Sequence, residues 1–419
     1  MARSLPSKPL LVVFCPLAAG YFLSYFYRNV NAIIAKDLAA EFSLTSADLG
    51  FLTSMYLAAF AAFQLPLGVL LDRYGPRRVV AALLCAAAAG ALVFAAARDL
   101  AMLSLGRALI GLGVSAGLMA AIKAFSLWFP LSRLATMNGL YLAVGGLGAL
   151  SATAPAEALV ESLGWRGMFT ALAAASATAA LVIFFVVPEK PLPGTRQPLA
   201  SQFAGFARIY GSRYFWRIAL PPVIGQATYL ALQGLWLGPW LYDVARLERA
   251  QVAHYLFLTA LGYIAGSLFF GVAADRLAQR GVPRLTVFKA GLFACVVMLA
   301  LIAAGTRQAL AAVLALYAFA GIAGSLAYAL LTPLFPPEMT GRVNTASNVL
   351  MFTFSFVVQW GIGAALRLYP VVDGRYAAEG YTAAFTTLVF LQVAALAWLA
   401  PLRSAQFGDA NRTPGPGRP

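Results

Sequence analysis

Residues Gln64 to Val80 read QLPLGVLLDRYGPRRVV, and this stretch decides the fold. An apolar run leads to Gly68. Asp72-Arg73, Gly75-Pro76 and Arg77-Arg78 follow, and a second apolar run begins. A sharp turn with a dense basic cluster between two membrane-length helices marks a short cytoplasmic loop, because Lys and Arg collect on that side of a bilayer. The same design returns at Gly271 to Arg284, GVAADRLAQRGVPR. The two Asp-Arg pairs, at 72 and 275, lie 203 residues apart, about half of the 419-residue chain. That spacing points to a chain of two related halves.

Composition agrees. Hydrophobic residues make up 61% of the chain and charged residues 11%, where soluble domains carry about 25% charged residues. Mean hydropathy is +0.80. A chain this long and this apolar is an all-α polytopic membrane protein. The net charge of +15 would suggest nucleic acid in a soluble protein. Here the positive-inside rule accounts for it, and nucleic acid is not expected as a partner. Cys15, Cys85 and Cys295 each stand alone in an apolar run, so no metal site, cofactor or disulfide framework is expected. No cleavable signal pattern is seen, and Leu10 onward reads as a first spanning helix that stays.

A spanning helix needs about 20 mostly apolar residues. Twelve such stretches, helices 1 to 12, are expected at 10–35, 47–71, 79–97, 102–124, 134–160, 167–187, 217–242, 251–274, 285–304, 309–333, 343–366 and 381–402. They form two pseudo-symmetric six-helix bundles around a central cavity. The expected halves are 1–187 and 217–402, joined by a polar cytoplasmic linker over 188–216. The Gly- and Pro-rich tail, 403–419, is expected to be disordered. With the N-terminus inside, 18 of the 30 Lys and Arg fall in inner segments and 8 in outer loops. Both termini are therefore expected in the cytoplasm. A weaker echo of the repeat joins Arg133, opening helix 5, to Arg342, opening helix 11.

Four basic residues remain inside helices: Arg28, Arg107, Lys123 and Lys289. A charge inside a span is paired, hydrated or functional. Lys123 and Lys289 sit near inner helix ends, where snorkelling to headgroups is expected. Arg28 and Arg107 fall in the outer half. Tyr21, Ser24, Tyr25, Arg28 and Asn31 recur at 3- and 4-residue steps and share one helix face. Such a face lines a cavity or a helix contact, and Arg28 reads either as carbonyl-bound glue or as an anion anchor. In helix 7, Gln226, Tyr229, Gln233, Trp236 and Trp240 share a face, with Trp240 expected in the interfacial belt. In helix 11, Asn344, Asn348, Ser355 and Gln359 do the same. Of the 15 acids none lies at the midplane, and Glu157, near the outer end of helix 5, is the one proton-carrier candidate. Arginine without a midplane carboxylate favours an anion.

The loop at Gly68, Asp72, Arg73, Gly75, Arg77 and Arg78 resembles the signature G-x-x-x-D-R-x-G-x-R-K/R of the major facilitator superfamily. Gly271, Asp275, Arg276 and Arg280 resemble that family's looser second copy. The likeness covers nearly the whole chain and implies alternating access, with these residues and Arg342 in gating. Tyr25 and Arg28 resemble the Y-x-D-R-x-N element of the anion:cation symporter branch, which carries organic acids. Tyr27 stands where that branch has Asp, and the amides Asn29 and Asn31 are out of register. Arg107 matches the branch's helix 4 arginine, with Val114 where some members have an acid.

The leading expectation is a secondary transporter of a small organic anion, a symporter if a proton or other ion is coupled. The substrate-binding residues expected are Tyr21, Tyr25, Arg28, Arg107, Gln226, Tyr229, Gln233, Asn348 and Gln359. The other partners are the lipid bilayer and a coupling ion, and a monomer in a bacterial inner membrane is expected. The alternative is an exporter of drugs, or a transporter of a neutral metabolite or vitamin. A membrane-embedded enzyme or receptor is the remote alternative. An enzyme needs a nucleophile with a base, paired carboxylates or a metal, and the one histidine, His254, is peripheral.

Overall fold

A computed structural model of the chain describes residues 9–189, 206–331, 334–336 and 339–402. Most of the expected linker and the whole expected tail lie outside the described residues. What is described is helical throughout, apart from a short hairpin pairing Val371–Val372 with Arg375–Tyr376. Its turn, Asp373-Gly374, has positive φ at both positions, the geometry that suits the twist of a two-residue hairpin. Ten helical stretches among the described residues are long and apolar enough to cross a membrane. The stretches expected as helices 5 and 7 are also helical, over Leu131–Ser151 and Arg213–Ala231.

The quoted loop behaves as its residues require. Helices 2 and 3 run as Ser46–Ala95, broken at Gly75, whose φ of 79° and ψ of 161° no helix contains. Only glycine takes such a conformation without strain. Gly164, with φ at 68°, breaks Ala154–Val186 in the same way and separates helices 5 and 6. The end that carries the Gly75 turn is called the loop end below.

Helix 1 outruns its apolar stretch. A π turn, Leu10–Phe14, leads into Cys15–Asn29, and Asn31–Phe42 continues to a left-handed Ser43. Lys36, Asp37 and Glu41 therefore sit on a helix, where a loop was expected. Helix 2 then starts from a capping box. The Thr45 hydroxyl accepts from the Asp48 N–H at 3.2 Å, and the Asp48 carboxylate accepts from the Thr45 N–H at 3.0 Å. Two orphan donors are satisfied reciprocally. Helix 7 holds Pro221 and Pro222 and passes through a π turn, Leu232–Trp236, before Leu237–Asp243.

Helices pack on glycine. Lipid tails offer no hydrophobic drive between helices, so close backbone approach has to supply the attraction. A Cβ at Gly111 of helix 4 would lie 2.2 Å from the Tyr56 carbonyl oxygen of helix 2, and one at Gly262 of helix 8 would lie 2.2 Å from that of Ala315 in helix 10. These contacts repeat between the halves. Tyr56 and Gly262 are 206 residues apart, and Gly111 and Ala315 are 204 apart.

Lys123 and Lys289, expected to snorkel, both reach backbone carbonyls. The Lys123 ammonium donates to the Leu71 carbonyl at 2.9 Å, just before the Gly75 break. Lys289 donates to the carbonyls of Ala400 and Leu402 at 2.9 and 2.8 Å. Both satisfy carbonyls that a helix end leaves without partners. Trp240 is 2% exposed and so lies inside the protein, away from any interfacial belt.

Gly111→Ala should lower the unfolding temperature of the purified protein in detergent, since forcing helices 2 and 4 apart costs about 1–3 kcal/mol. Gly68→Ala should leave it unchanged, because a Cβ there meets no atom within 4 Å. Equal thermal unfolding of the two variants would show that the close contact at Gly111 does not hold the helices.

Candidate functional site

A cavity of about 210 Å³ is lined by residues of helices 1, 2, 4, 5, 7, 8, 10 and 11. Helix 1 contributes Tyr21, Ser24, Tyr25 and Arg28, the face read from its spacing. Facing them are Gln226, Tyr263, Tyr328, Asn348 and Phe352 from helices 7, 8, 10 and 11. The lining continues to Ala219, Leu331 and Ser347, near the loop-end termini of their helices. Most of the wall is apolar, with Phe60, Leu118, Met119, Pro222 and Met351 among its residues.

Arg28 is 9% exposed. Its guanidinium carbon lies 4.7 Å from the Tyr25 ring centroid, 5.3 Å from Phe60 and 5.2 Å from Phe352. The Tyr56 phenol also interacts with it. Its Nε is buried without a hydrogen bond. No ion pair reaches it among the described residues. Three aromatic faces offset part of the burial of a cation. They accept none of the five N–H bonds that a guanidinium offers.

The structure gathers some expected site residues and separates others. Tyr21, Tyr25, Arg28, Gln226 and Asn348 share the cavity. Arg107 does not line it. It is wholly buried within the first half, donates to the Tyr27 carbonyl at 2.9 Å and lies 5.1 Å from the Tyr56 ring centroid. It ties helix 4 to helices 1 and 2. Tyr229 lies outside the lining and stacks on Tyr263, with centroids 5.1 Å apart. Gln233 sits in the π turn of helix 7, and its Nε2 donates to the Leu256 carbonyl at 3.5 Å. Gln359 is 1% exposed, and its carbonyl accepts from the Trp236 indole at 2.8 Å. Asn31 leaves the cavity face and donates to Thr53 at 3.0 Å.

At the loop end, Arg78 pairs with Glu189 at 3.0 Å, and Arg77 donates to the Val187 carbonyl at 3.4 Å over the Phe184 ring. Arg73 lies on the Tyr74 ring, and Arg276 is exposed in the last turn of Arg249–Gln279. Arg342 opens helix 11. Gly68 faces open space, so the close helix approach expected of it is not made in this conformation. The side chains of Asp72 and Asp275, and Gly271, lie outside the described residues.

The opposite end is sealed by charges that pattern reading left in loops, joined by Glu157, which it placed near the outer end of helix 5. Arg249 donates two parallel bonds to Asp37, at 3.0 and 2.9 Å, and a further bond to Glu157. Glu157 is therefore engaged by the other half, and only its Oε2 lacks a partner. Lys36 pairs with Asp243 at 3.7 Å and covers the Tyr242 ring at 3.9 Å. Tyr381 donates to Asp243 at 2.8 Å. Burial pushes the Asp243 carboxyl up, against the pull of Tyr381 and Lys36. Burial also lowers the Lys36 ammonium, against the pull of Asp243. Burial opposes the Glu41 charge too, but hydrogen bonds from Arg166 and Trp165 outweigh it and hold that carboxyl below its usual range.

Backbone contact completes the seal. A Cβ at Gly238 would lie 2.3 Å from the Ala32 carbonyl oxygen, and one at Gly363 would lie 2.4 Å from that of Ser46. Ser46 donates to the Gly363 carbonyl at 2.9 Å. Deeper in, the Phe60 and Phe352 rings meet with centroids 4.2 Å apart and roof the cavity.

Phe60, Gln64, Tyr263 and Tyr328 were missed as lining residues. Tyr263 and Tyr328 stand in apolar helices without a neighbouring polar stripe. Gln64 alone carried a signal, as an amide within an apolar run.

The sequence pattern of the Major Facilitator Superfamily matches residues 17–360. A probable sulfoacetate transporter, SauU, of Cupriavidus necator is 25% identical over 85% of this chain and 79% of its own. A probable L-galactonate transporter of Escherichia coli is 22% identical over 79% of this chain and 77% of its own. Among solved structures, a bacterial homolog of the human lysosomal transporter Spinster, inward-facing and unoccupied, superposes with a TM-score of 0.81. It covers 98% of this chain and 100% of its own at 17% identity, which speaks for the fold alone.

Arg249→Ala removes the one group that binds both Asp37 and Glu157. It strands a buried carboxylate, a costly change. A cysteine placed at Ser24, with the three native cysteines replaced, should then react about tenfold faster with an impermeant maleimide from the sealed end. An unchanged labelling rate would show that the charge cluster does not hold this end shut.

Proposed function

The chain belongs to the Major Facilitator Superfamily and is a secondary transporter of small molecules across a membrane, and on that premise we propose that it carries a small organic anion. Arg28 carries the proposal. It is a guanidinium in the central cavity, with a buried unbonded Nε and no ion-pair partner among the described residues. A carboxylate or sulfonate would accept the bonds that the aromatic faces cannot. The relatives named for sulfoacetate and L-galactonate support the anion reading.

The proposed architecture is twelve helices in two six-helix bundles, over 1–187 and 217–402, that rock about the cavity. The loop end is assigned to the cytoplasm by its basic residues, with both termini on that side of a bacterial inner membrane. The conformation described is then open to the cytoplasm and closed outside. In the opposite state, Asp72 is proposed to reach the start of helix 11 and brace the closed loop end. Asp72→Asn should slow transport and leave binding within a few-fold. Lost binding with unchanged cysteine accessibility on both sides would overturn that role.

The anchor has its own test. Arg28→Lys keeps the charge and loses the planar two-pronged donor. Losing a charge-assisted contact of this kind costs roughly 2–4 kcal/mol, or about 30- to 1,000-fold in affinity. Calorimetry on the folded variant, with the organic acid that most stabilises the native protein in a thermal screen, reads it directly. Near-native affinity would remove the anchor and most of the case for an anion.

A further inference from the structure

The cavity also constrains the rest of the solute, on the footing that its negative group binds Arg28 as proposed above. Three observations bear on this. The first is charge. Arg28 is the one cation among the described lining residues. A second carboxylate on the solute would enter the cavity without a partner, and an unpaired charge out of water is heavily penalised.

The second is the state of the uncharged polar groups. Tyr21 donates to the Tyr25 hydroxyl at 3.3 Å, and Tyr328 donates to Asn348 Oδ1 at 2.6 Å. Gln226 Nε2 donates to the Gly321 carbonyl at 3.0 Å, and Gln64 Nε2 donates to that of Ser115, also at 3.0 Å. The Ser115 hydroxyl donates to the Leu112 carbonyl at 2.7 Å. Each of these donors is already engaged within the protein. A solute rich in hydroxyls would have to compete for several of these bonds, because few uncommitted polar groups stand in a mostly apolar wall, and an unmet bond is costly when buried.

The third is the wall around the guanidinium. Phe60 and Phe352 cover it from helices 2 and 11, and Met351, Met119 and Leu118 extend the apolar surface. Apolar wall with a few placed polar groups is the make-up of a site that buries an apolar body and orients it by one end.

We propose that the solute is a monoanion with an apolar body, such as an aromatic or aliphatic monocarboxylate, and so departs from sulfoacetate, a dianion, and L-galactonate, a polyhydroxylated acid, for which the two relatives are named. Its charge meets Arg28, and its body lies on Phe60, Phe352 and Met351.

Calorimetry on the full-length protein in detergent tests this with matched probes. Benzoate and phenylacetate are the apolar monoanions. Phthalate adds a charge, gluconate replaces the apolar body with hydroxyls, and benzamide removes the charge. Benzoate or phenylacetate should bind about tenfold or more tightly than phthalate and gluconate, and benzamide should bind weakest. If phthalate or gluconate binds as tightly or more so, and loses affinity in Arg28→Lys, this inference falls and the anion reading stands. If benzamide matches benzoate and neither responds to Arg28→Lys, the anion reading falls and takes this inference with it. No binding of either apolar monoanion also overturns it.

Discussion

A bilayer offers no partner to a polar group, so every charge within its depth has to be met by the protein. Four basic residues test that constraint, and the chain answers in two ways. Arg107, Lys123 and Lys289 each reach backbone carbonyl oxygens. They act as structural ties, two of them at helix ends. Arg28 reaches aromatic faces and a phenol and keeps an unbonded Nε. The division follows from geometry. The first three point into helix–helix contacts, where carbonyls are at hand. Arg28 points into the cavity, where rings and a phenol are its neighbours.

The same constraint shapes the ends. Helix 1 extends past its apolar stretch to Phe42 because Asp37 and Glu41 find cationic partners there, Arg249 and Arg166. Glycine lets the backbones beneath them touch, at Gly238 on Ala32 and Gly363 on Ser46. Charge pairs near the surface are weak singly. Here they sit above close backbone contacts and a Phe60–Phe352 ring pair, so several layers shut one end together. The other end leaves room for a cavity wall that runs down to Leu331 and Ser347.

Much of this was legible in residue order. The Gly75 break, the internal repeat and the helix 1 face Tyr21-Ser24-Tyr25-Arg28 follow from local chemistry and a constant helical period. The helix 7 face did not hold. A π turn at Leu232–Trp236 shifts the register, and Gly234 and Gly238 press against the backbone of helix 1, so Gln233 points inward to Leu256 while Gln226 stays in the cavity. The seal was illegible for a different reason. Its partners Asp37 and Arg249 are 212 residues apart, and no local pattern announces a pair across two halves. Arg107 was misplaced because spacing gives depth in a helix, while only packing says whether a side chain turns to the cavity or to Tyr27.

The energetics of Arg28 explain why the cavity is the place where binding energy is available. Desolvating a charged side chain costs several kcal/mol after relaxation. A cation–π contact returns about 0.5–2 kcal/mol, depending on exposure. Rings at 4.7, 5.2 and 5.3 Å therefore offset much of the burial and leave the N–H groups poorly satisfied. Arg107 also keeps an unbonded Nε, but it bonds the Tyr27 carbonyl and does not line the cavity, so a solute there cannot reach it. Arg28 keeps its capacity, and its charge is held in place by rings from helices 1, 2 and 11. An anion, if carried as proposed, would gain a charge-assisted bond there without first breaking an ion pair among the described residues. Had a carboxylate occupied that depth, the anion would have had to displace it, and the net gain would have shrunk to the difference between two similar pairs.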